Sequence, residues 1–566
     1  MMSAVLRRET SRSVAADPIP ASPLASGAHD APCIERRHPA YRILLWLLVA
    51  AYSSNFGVLA LKRHDALATT IFDLGIFDQA TWEISRGYPT FLTTRGMFLL
   101  QDHFSPILYL VAPLYWVRSD PRTLLIFQVV VLALGAIPLY SITERRLQSQ
   151  FLALLVSLAY LLYPALHWMN LFDFHPECLA PLLILSTLWH MQCRKWAPYF
   201  LCIALLLLCK ETFGLTVLSI GIYVALSLDR RVGIATVLTG SAGMGLALFT
   251  MRLLNHGQPS QYISFYAAYG HSLPAVARFL IMHPGLLWNV ICSDESLNYL
   301  TNLLAPVAFL AFVAPEALAL AIPTLLSNVL ASRPAMRTIL FQYNATIIPI
   351  VFFSTAEGLY FGSRMLGRYA VGHQRRVQQG LALLLTCGIC YGVWQGPLPQ
   401  QISHTYEPGI APTRASAVRK MLAIIPSDAS VSAQTAAGAQ LTHRQHLYMF
   451  PNPFQMAAWG NSSQALEQQE GRGFQPLSET LLHQRLQQHL CDYIVLGPTG
   501  SSQFPLPPPV YDPLVQVVLS DKSYGVIQAA NGTIILKYGS DHVRGKKLLK
   551  QAMASEKVPL PGAPNS

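Results

Sequence analysis

From residue 41 to about residue 396 the chain is a succession of apolar runs separated by short polar breaks. Only helices and closed barrels keep their backbone polar groups paired in lipid, and a helical span needs about 20 apolar residues. The candidate spans are 41–61, 123–142, 151–168, 178–193, 196–209, 212–228, 232–254, 303–314, 317–331, 339–361 and 379–396. Composition agrees: of 566 residues, 52% are hydrophobic and 12% charged, against about 25% charged in soluble domains.

The net charge of +11 does not point to nucleic acid, because no basic stretch is interleaved with aromatics as a binding groove requires. Most basic residues instead sit in short loops, where they set orientation. Arg145-Arg146, Arg194-Lys195, Arg230-Arg231 and the group Arg364, Arg368, Arg375 and Arg376 occupy alternate loops, in phase with Arg36-Arg37 in the N-terminal tail. Those loops are expected in the cytoplasm. The loops 62–122, 169–177, 210–211, 255–302 and 332–338, and everything after 397, are expected outside. Phe104–Val117 is apolar but short and carries two prolines, so it is expected to lie along the outer interface. Lys62-Arg63 run against this layout.

Four regions follow. Residues 1–40 read as a disordered cytoplasmic tail. Residues 41–396 read as a multi-span domain with an acidic first external loop at 62–122. Residues 397–540 read as a small external α/β domain, with a buried strand at Asp492–Leu496 and a hairpin turning at Asn531-Gly532. Residues 541–566 read as a disordered basic tail. Cys387 and Cys390 have CxxC spacing inside an apolar helix and read as packed-core residues, not metal or redox groups.

Carboxylates beside lipid are costly and usually functional. Phe72-Asp73-Leu74-Gly75-Ile76-Phe77-Asp78-Gln79 and Gln101-Asp102-His103 lie in the first external loop, and Asp173-Phe174-His175-Pro176-Glu177 in the next. They read as general bases or metal ligands beside a sugar or phosphate; the alternative is helix capping and a polar turn. Lys210-Glu211 interrupts an apolar stretch. It fits a phosphate contact with an orienting glutamate, or else a self-neutralising pair. No P-loop, GxSxG, HExxH or GxGxxG occurs in a supporting context.

In these segments, together with Gly87-Tyr88-Pro89, His103-Phe104-Ser105-Pro106 and Ala112-Pro113-Leu114-Tyr115, the chain resembles the DUF2079 family of predicted polytopic membrane proteins over roughly residues 45–500. That family in turn resembles the GT-C glycosyltransferases. The resemblance implies a helical polytopic fold of about eleven spans with an external α/β C-terminal domain, in the bacterial inner membrane. It implies transfer of a sugar from a polyprenyl-phosphate carrier to an acceptor at the outer face. Asp73 or Asp78 would deprotonate the acceptor. Gln79, Asp102, His103, Asp173, His175, Glu177 and Glu211 would shape the substrate site, and Lys210 would neutralise the carrier phosphate. The group includes members with and without a divalent ion such as Mg or Mn; here its ligands would come from Asp73, Asp78, Asp173 and His175. The partners implied are a lipid-linked sugar and membrane lipid. One departure is Phe341-Gln342-Tyr343-Asn344, where a His-Tyr pair is expected; Gln342 keeps hydrogen bonding but not proton transfer. The rival reading is a transporter or flippase for lipid-linked glycans, or an envelope-assembly protein, but no paired halves are visible.

Overall fold

The computed structural model describes residues 38–258, 260–369, 374–402, 409–460, 474–556 and 558–562. Residues 1–37 of the expected tail lie outside them. The first helix, Pro39–Asp65, opens on a proline, whose fixed φ and missing N–H suit a first turn. Leu45, Val49, Tyr52, Phe56 and Ala60 are buried, while Ile43, Trp46 and Leu47 are exposed. The buried set recurs every three or four residues, so one stripe packs inward and the outward face is equally apolar, as lipid requires. Lys62, Arg63 and His64 fill the last turn, at the negative pole of the helix. Arg63 also donates to the Ala68 carbonyl at 3.1 Å and lies 3.8 Å from Asp173, which gives it a local role on the side where the loop rule disfavours it.

By length and composition, four helices among the described residues can cross a membrane: Pro39–Asp65, Arg122–Leu147, Arg230–Leu254 and Arg375–Gln395. Gln150–Leu161 and Pro164–Leu171 make a fifth if the pair, bent by 42°, is one span; Pro164 cannot continue the preceding ladder. Other apolar runs form shorter helices. Segments 303–314 and 317–331 are broken into short α and 3-10 turns around Pro306, Pro315 and Pro323. Leu310, Ala311, Leu320 and Ala321 there are buried, the setting in which irregular backbone at membrane depth is tolerated. Phe104–Val117 contains two four-residue helices, Leu108–Val111 and Leu114–Val117. Cys387 and Cys390 are exposed on their helix, which corrects the packed-core reading.

Strands β1 (Phe91–Leu92) and β2 (Met97–Phe98) pair as a small hairpin. Strands β3 (Val431–Ala433), β4 (Leu447–Met449), β5 (Tyr493–Leu496), β6 (Tyr524–Ala530) and β7 (Thr533–Tyr538) build a five-stranded sheet in the order β4-β3-β5-β7-β6. β4, β3 and β5 are parallel, and β7 and β6 antiparallel. Asn531 and Gly532 both take positive φ, as the two-residue turn between β6 and β7 requires. The disordered-tail expectation is corrected by the helix His542–Ser555. Asp541 caps its first N–H groups, and Leu548 and Leu549 pack against the sheet.

The sheet has two cores because strand side chains alternate between faces. Ile494, Leu496, Ile534 and Leu536 belong to one; Tyr493, Val495 and Ile535 belong to the other. The second core also contains Leu67 and Ile71 from the first loop. The sheet unit therefore completes its packing with the segment that carries Asp73. Phe72 meets Phe504 edge-on with ring centroids 4.9 Å apart. Gly96 (φ +68) passes beneath Trp459, where a Cβ would come within 1.9 Å of the indole.

Arg95 joins these parts. Its side chain is fully buried, with Nε 2.8 Å from Asp102 Oδ2 and the guanidinium donating to the Ala458 carbonyl. Removing one partner of a buried pair strands the other charge, at a cost of about 3–5 kcal/mol. Arg95→Met is expected to lower Tm markedly in micelles, and Arg95→Met with Asp102→Leu to recover part of the loss; equal losses in the two variants would contradict this account.

Candidate functional site

The first loop reaches its position through an N-capped turn. Thr70 caps the π-helical segment Ile71–Gly75, its hydroxyl accepting from Asp73 N–H at 3.1 Å. Ile71 is anchored in the sheet core, so Asp73, two residues on, is held at the mouth of a cavity. The cavity, about 160 Å³, is lined by residues from the first loop, from 175–177, from the 210–215 turn, from 262–266 and from 324–346. Its lining includes the ionisable residues Asp73, Asp102, His103, His175, Glu177, Lys210 and Glu211 and the apolar residues Phe72, Ile76, Phe77 and Phe213. Seven of the ten residues singled out in the sequence thus converge.

Asp73 is the accessible acid, with 26% of its side chain exposed. His175 Nε2 lies 3.6 Å from Asp73 Oδ1. The other ring nitrogen, Nδ1, lies 2.9 Å from the Asp173 carbonyl, so it carries a proton and fixes which nitrogen faces Asp73. The Thr70 hydroxyl lies 3.1 Å from Asp73 Oδ2 and 3.0 Å from Asp173 Oδ2, and Thr70 N–H donates to Asp173 at 2.8 Å. One threonine therefore bridges two carboxyl groups. Burial pushes the Asp173 carboxyl up to about 6; Arg63 opposes the shift and Asp73 adds to it. Asp173 Oδ1 makes no hydrogen bond, which leaves room for a proton.

Lys210 Nζ lies 2.5 Å from Glu177 Oε1. Burial pushes Glu177 up, but Lys210 and then His175 outweigh it and hold the carboxyl at about 2. Glu211 accepts the Phe104 N–H at 3.3 Å. Asp102 accepts from Arg95, from Tyr262 at 2.8 Å and from Gln261 at 3.0 Å. Burial opposes its ionisation, but Arg95 and His103 hold its carboxyl well below the usual range. His103 stacks on Tyr262 with centroids 5.1 Å apart, and its Nε2 is 3.1 Å from the Tyr262 hydroxyl.

Three expected site residues lie elsewhere. Asp78 is fully buried and accepts from Tyr115, Thr442 and His443. Burial raises its carboxyl, but His443, Thr442 and Tyr115 together draw it below the ordinary value. Gln79 donates to Thr93 at 2.9 Å and to the Arg444 carbonyl at 3.0 Å. Both residues belong to the contact between the first loop and the sheet unit. Asp173 sits behind the cavity wall. Asp73, Asp78, Asp173 and His175 therefore do not converge as metal ligands. Among the described residues no group of three or more His, Cys, Asp or Glu side chains is arranged for a metal ion.

Sequence reasoning missed Thr70, Tyr262 and Arg333. Arg333 lines the cavity and lies over the Phe265 ring at 5.8 Å. Among the described residues its guanidinium makes no ion pair. Its signal in the sequence was an arginine in a loop assigned to the outer side, where the loop rule disfavours one.

Asp173 generates a pH prediction. Its folded-state value of about 6 exceeds the about 3.9 of an unfolded aspartate. The folded form thus keeps a proton that the unfolded form has lost. That stabilisation is whole below about pH 4 and is lost as pH rises through about 6. Asp173→Asn is expected to flatten the fall in Tm across this window; an unchanged pH profile would contradict the assignment.

No curated protein matches the chain in sequence. ArnT from Cupriavidus metallidurans in the apo state matches in structure with a TM-score of 0.51 and 14% identity, over 88% of this chain and 98% of that one. The crystal structure of the same protein bound to undecaprenyl phosphate matches with a TM-score of 0.47 and 12% identity over the same shares. The likeness to apo ArnT shows a shared fold. The sequence profile of the DUF2079 predicted membrane proteins matches residues 63–486, three quarters of the chain, and the chain belongs to that family.

Proposed function

We propose that the protein is a GT-C-type glycosyltransferase that moves a sugar from a polyprenyl-phosphate carrier to an acceptor hydroxyl. The observation that carries this reading is the pairing, in one cavity, of an accessible carboxylate (Asp73 beside the oriented His175) with a cation, Arg333, that has no carboxylate partner among the described residues. The polyprenyl carrier and the bacterial inner membrane come from the family resemblance. The basic loops at 145–146, 194–195 and 230–231 set the N-terminus in the cytoplasm and the sheet unit outside. About eleven apolar segments, several short or broken, build the body.

In this reading Asp73 takes the proton of the acceptor hydroxyl. The acceptor oxygen then bonds to the anomeric carbon as the bond from that carbon to the phosphate oxygen breaks. Negative charge grows on the departing phosphate, and a fixed cation is worth most there. Arg333 supplies it. Lys210, already neutralised by Glu177 at 2.5 Å, adds less charge than the sequence implied and holds the 177 and 210 segments together. Asp78, committed to three donors, supports the loop without touching substrate.

The test is release of polyprenyl phosphate by purified protein in lipid nanodiscs, offered a panel of polyprenyl-phosphate sugars and followed by mass spectrometry. Asp73→Asn is expected to cost about 10²–10⁴ in kcat, and Arg333→Gln to slow release and raise KM. Full turnover by Asp73→Asn would remove the proposed base.

A further inference from the structure

Part of the cavity lining differs in chemistry from the acids. Thr324, Ser327, Asn328, Gln342, Tyr343 and Thr346 make it up, and none of these side chains is charged at neutral pH. The backbone that carries them is tied down. Asn344 Oδ1 accepts from the Tyr299 hydroxyl at 2.7 Å, and Asn344 Nδ2 donates to the Thr338 carbonyl at 2.8 Å. Asn328 Nδ2 donates to the Tyr299 hydroxyl at 2.9 Å and to the Tyr343 carbonyl at 3.1 Å. Thr324 and Thr346 pair through their hydroxyls at 3.0 Å. Ser327 pairs with the Tyr266 hydroxyl at 2.6 Å.

Within this satisfied scaffold Gln342 is the exception. It is 9% exposed and faces the cavity, yet its Oε1 is buried without a hydrogen-bond partner. A buried amide left unpaired is costly and calls for an explanation. Whichever way the amide is turned, the unpaired atom has no surface open to the cavity, and a turn of the side chain is what brings it to a ligand. An amide both donates and accepts, as a sugar hydroxyl does.

We infer that this part of the lining recognises a neutral, polyhydroxylated sugar, with Gln342 as the residue that reads one of its hydroxyls. The inference rests on the transferase reading above. The acids of the lining are each engaged. Glu177 is held by Lys210, Asp102 by Arg95 and Tyr262, and Glu211 by the Phe104 N–H; Asp73 sits against Thr70 and His175. Asp73 is taken up as the base, and among the described lining residues no other carboxylate is left to take an amino sugar's ammonium. A uronic acid would bring a second anion beside the carrier phosphate, with Arg333 as the one cation there, among the described residues, that has no carboxylate partner.

The experiment compares three donors of one carrier length, bearing a neutral sugar, an amino sugar or a uronic acid. Sugar-free polyprenyl phosphate serves as a binding control by native mass spectrometry. The expected result is turnover highest with the neutral donor. Gln342→Leu should raise its KM about tenfold, the loss of one hydrogen bond, with unchanged affinity for the sugar-free lipid phosphate. Gln342→Glu is the second variant and should shift preference towards the amino sugar. Preference of the wild type for a charged donor, or indifference of both variants while the lipid phosphate still binds, would overturn the inference. Wild-type protein that neither binds the lipid phosphate nor turns over any donor would overturn the transferase reading itself, and this inference with it.

Discussion

A guanidinium with no access to water must find all its partners inside the protein, and Arg95 finds them in three places. It bonds Asp102 on the cavity wall, the Ala458 carbonyl of the sheet unit, and lies 5.2 Å over the ring of Phe72 beside Asp73. The first loop, the cavity and the sheet unit are thereby fixed relative to one another. Leu67 and Ile71 reinforce the arrangement by completing one core of the sheet. The loop bearing the accessible acid is thus clamped by the sheet unit, and Asp73 is placed by packing rather than by loop conformation, as the proposed chemistry demands.

The charges in the cavity follow a consistent economy. Glu177 answers Lys210, Arg95 answers Asp102, and Thr70 bridges Asp73 to Asp173. After these pairings Arg333 and Asp73 are left, among the described residues, to face the open space. That remainder suits a reaction that needs a base at one end and charge neutralisation at the other. The uncharged lining residues, pinned by the hydrogen bonds of Asn328, Asn344 and Tyr299, leave this balance unaltered.

Much of the site was legible because charge stands out among apolar residues. Asp73, His103, His175, Glu177, Lys210 and Glu211 break hydrophobic runs, and such breaks beside lipid seldom occur without purpose. Asp78 and Gln79 carried the same signal, but burial against Thr442, His443 and Arg444 uses residues more than 360 positions away, which local sequence does not reveal. Arg333 and Gln342 come from a segment of short 3-10 turns, and their convergence on the cavity with the first loop is purely tertiary. In the fold, the Asn531-Gly532 turn was readable from its demand for positive φ. The helix His542–Ser555 was not, because its basic composition hid Leu548 and Leu549, which pack on the sheet.

We propose that this cavity holds a lipid-linked sugar with its phosphate at Arg333 and its anomeric carbon near Asp73. The most direct measurement is an experimental structure of the Asp73→Asn protein in nanodiscs with a bound polyprenyl-phosphate sugar. The account predicts the phosphate against Arg333, the anomeric carbon facing residue 73 and the lipid chain leaving along the apolar lining residues. A headgroup bound elsewhere, or a phosphate turned away from both residues, would contradict it.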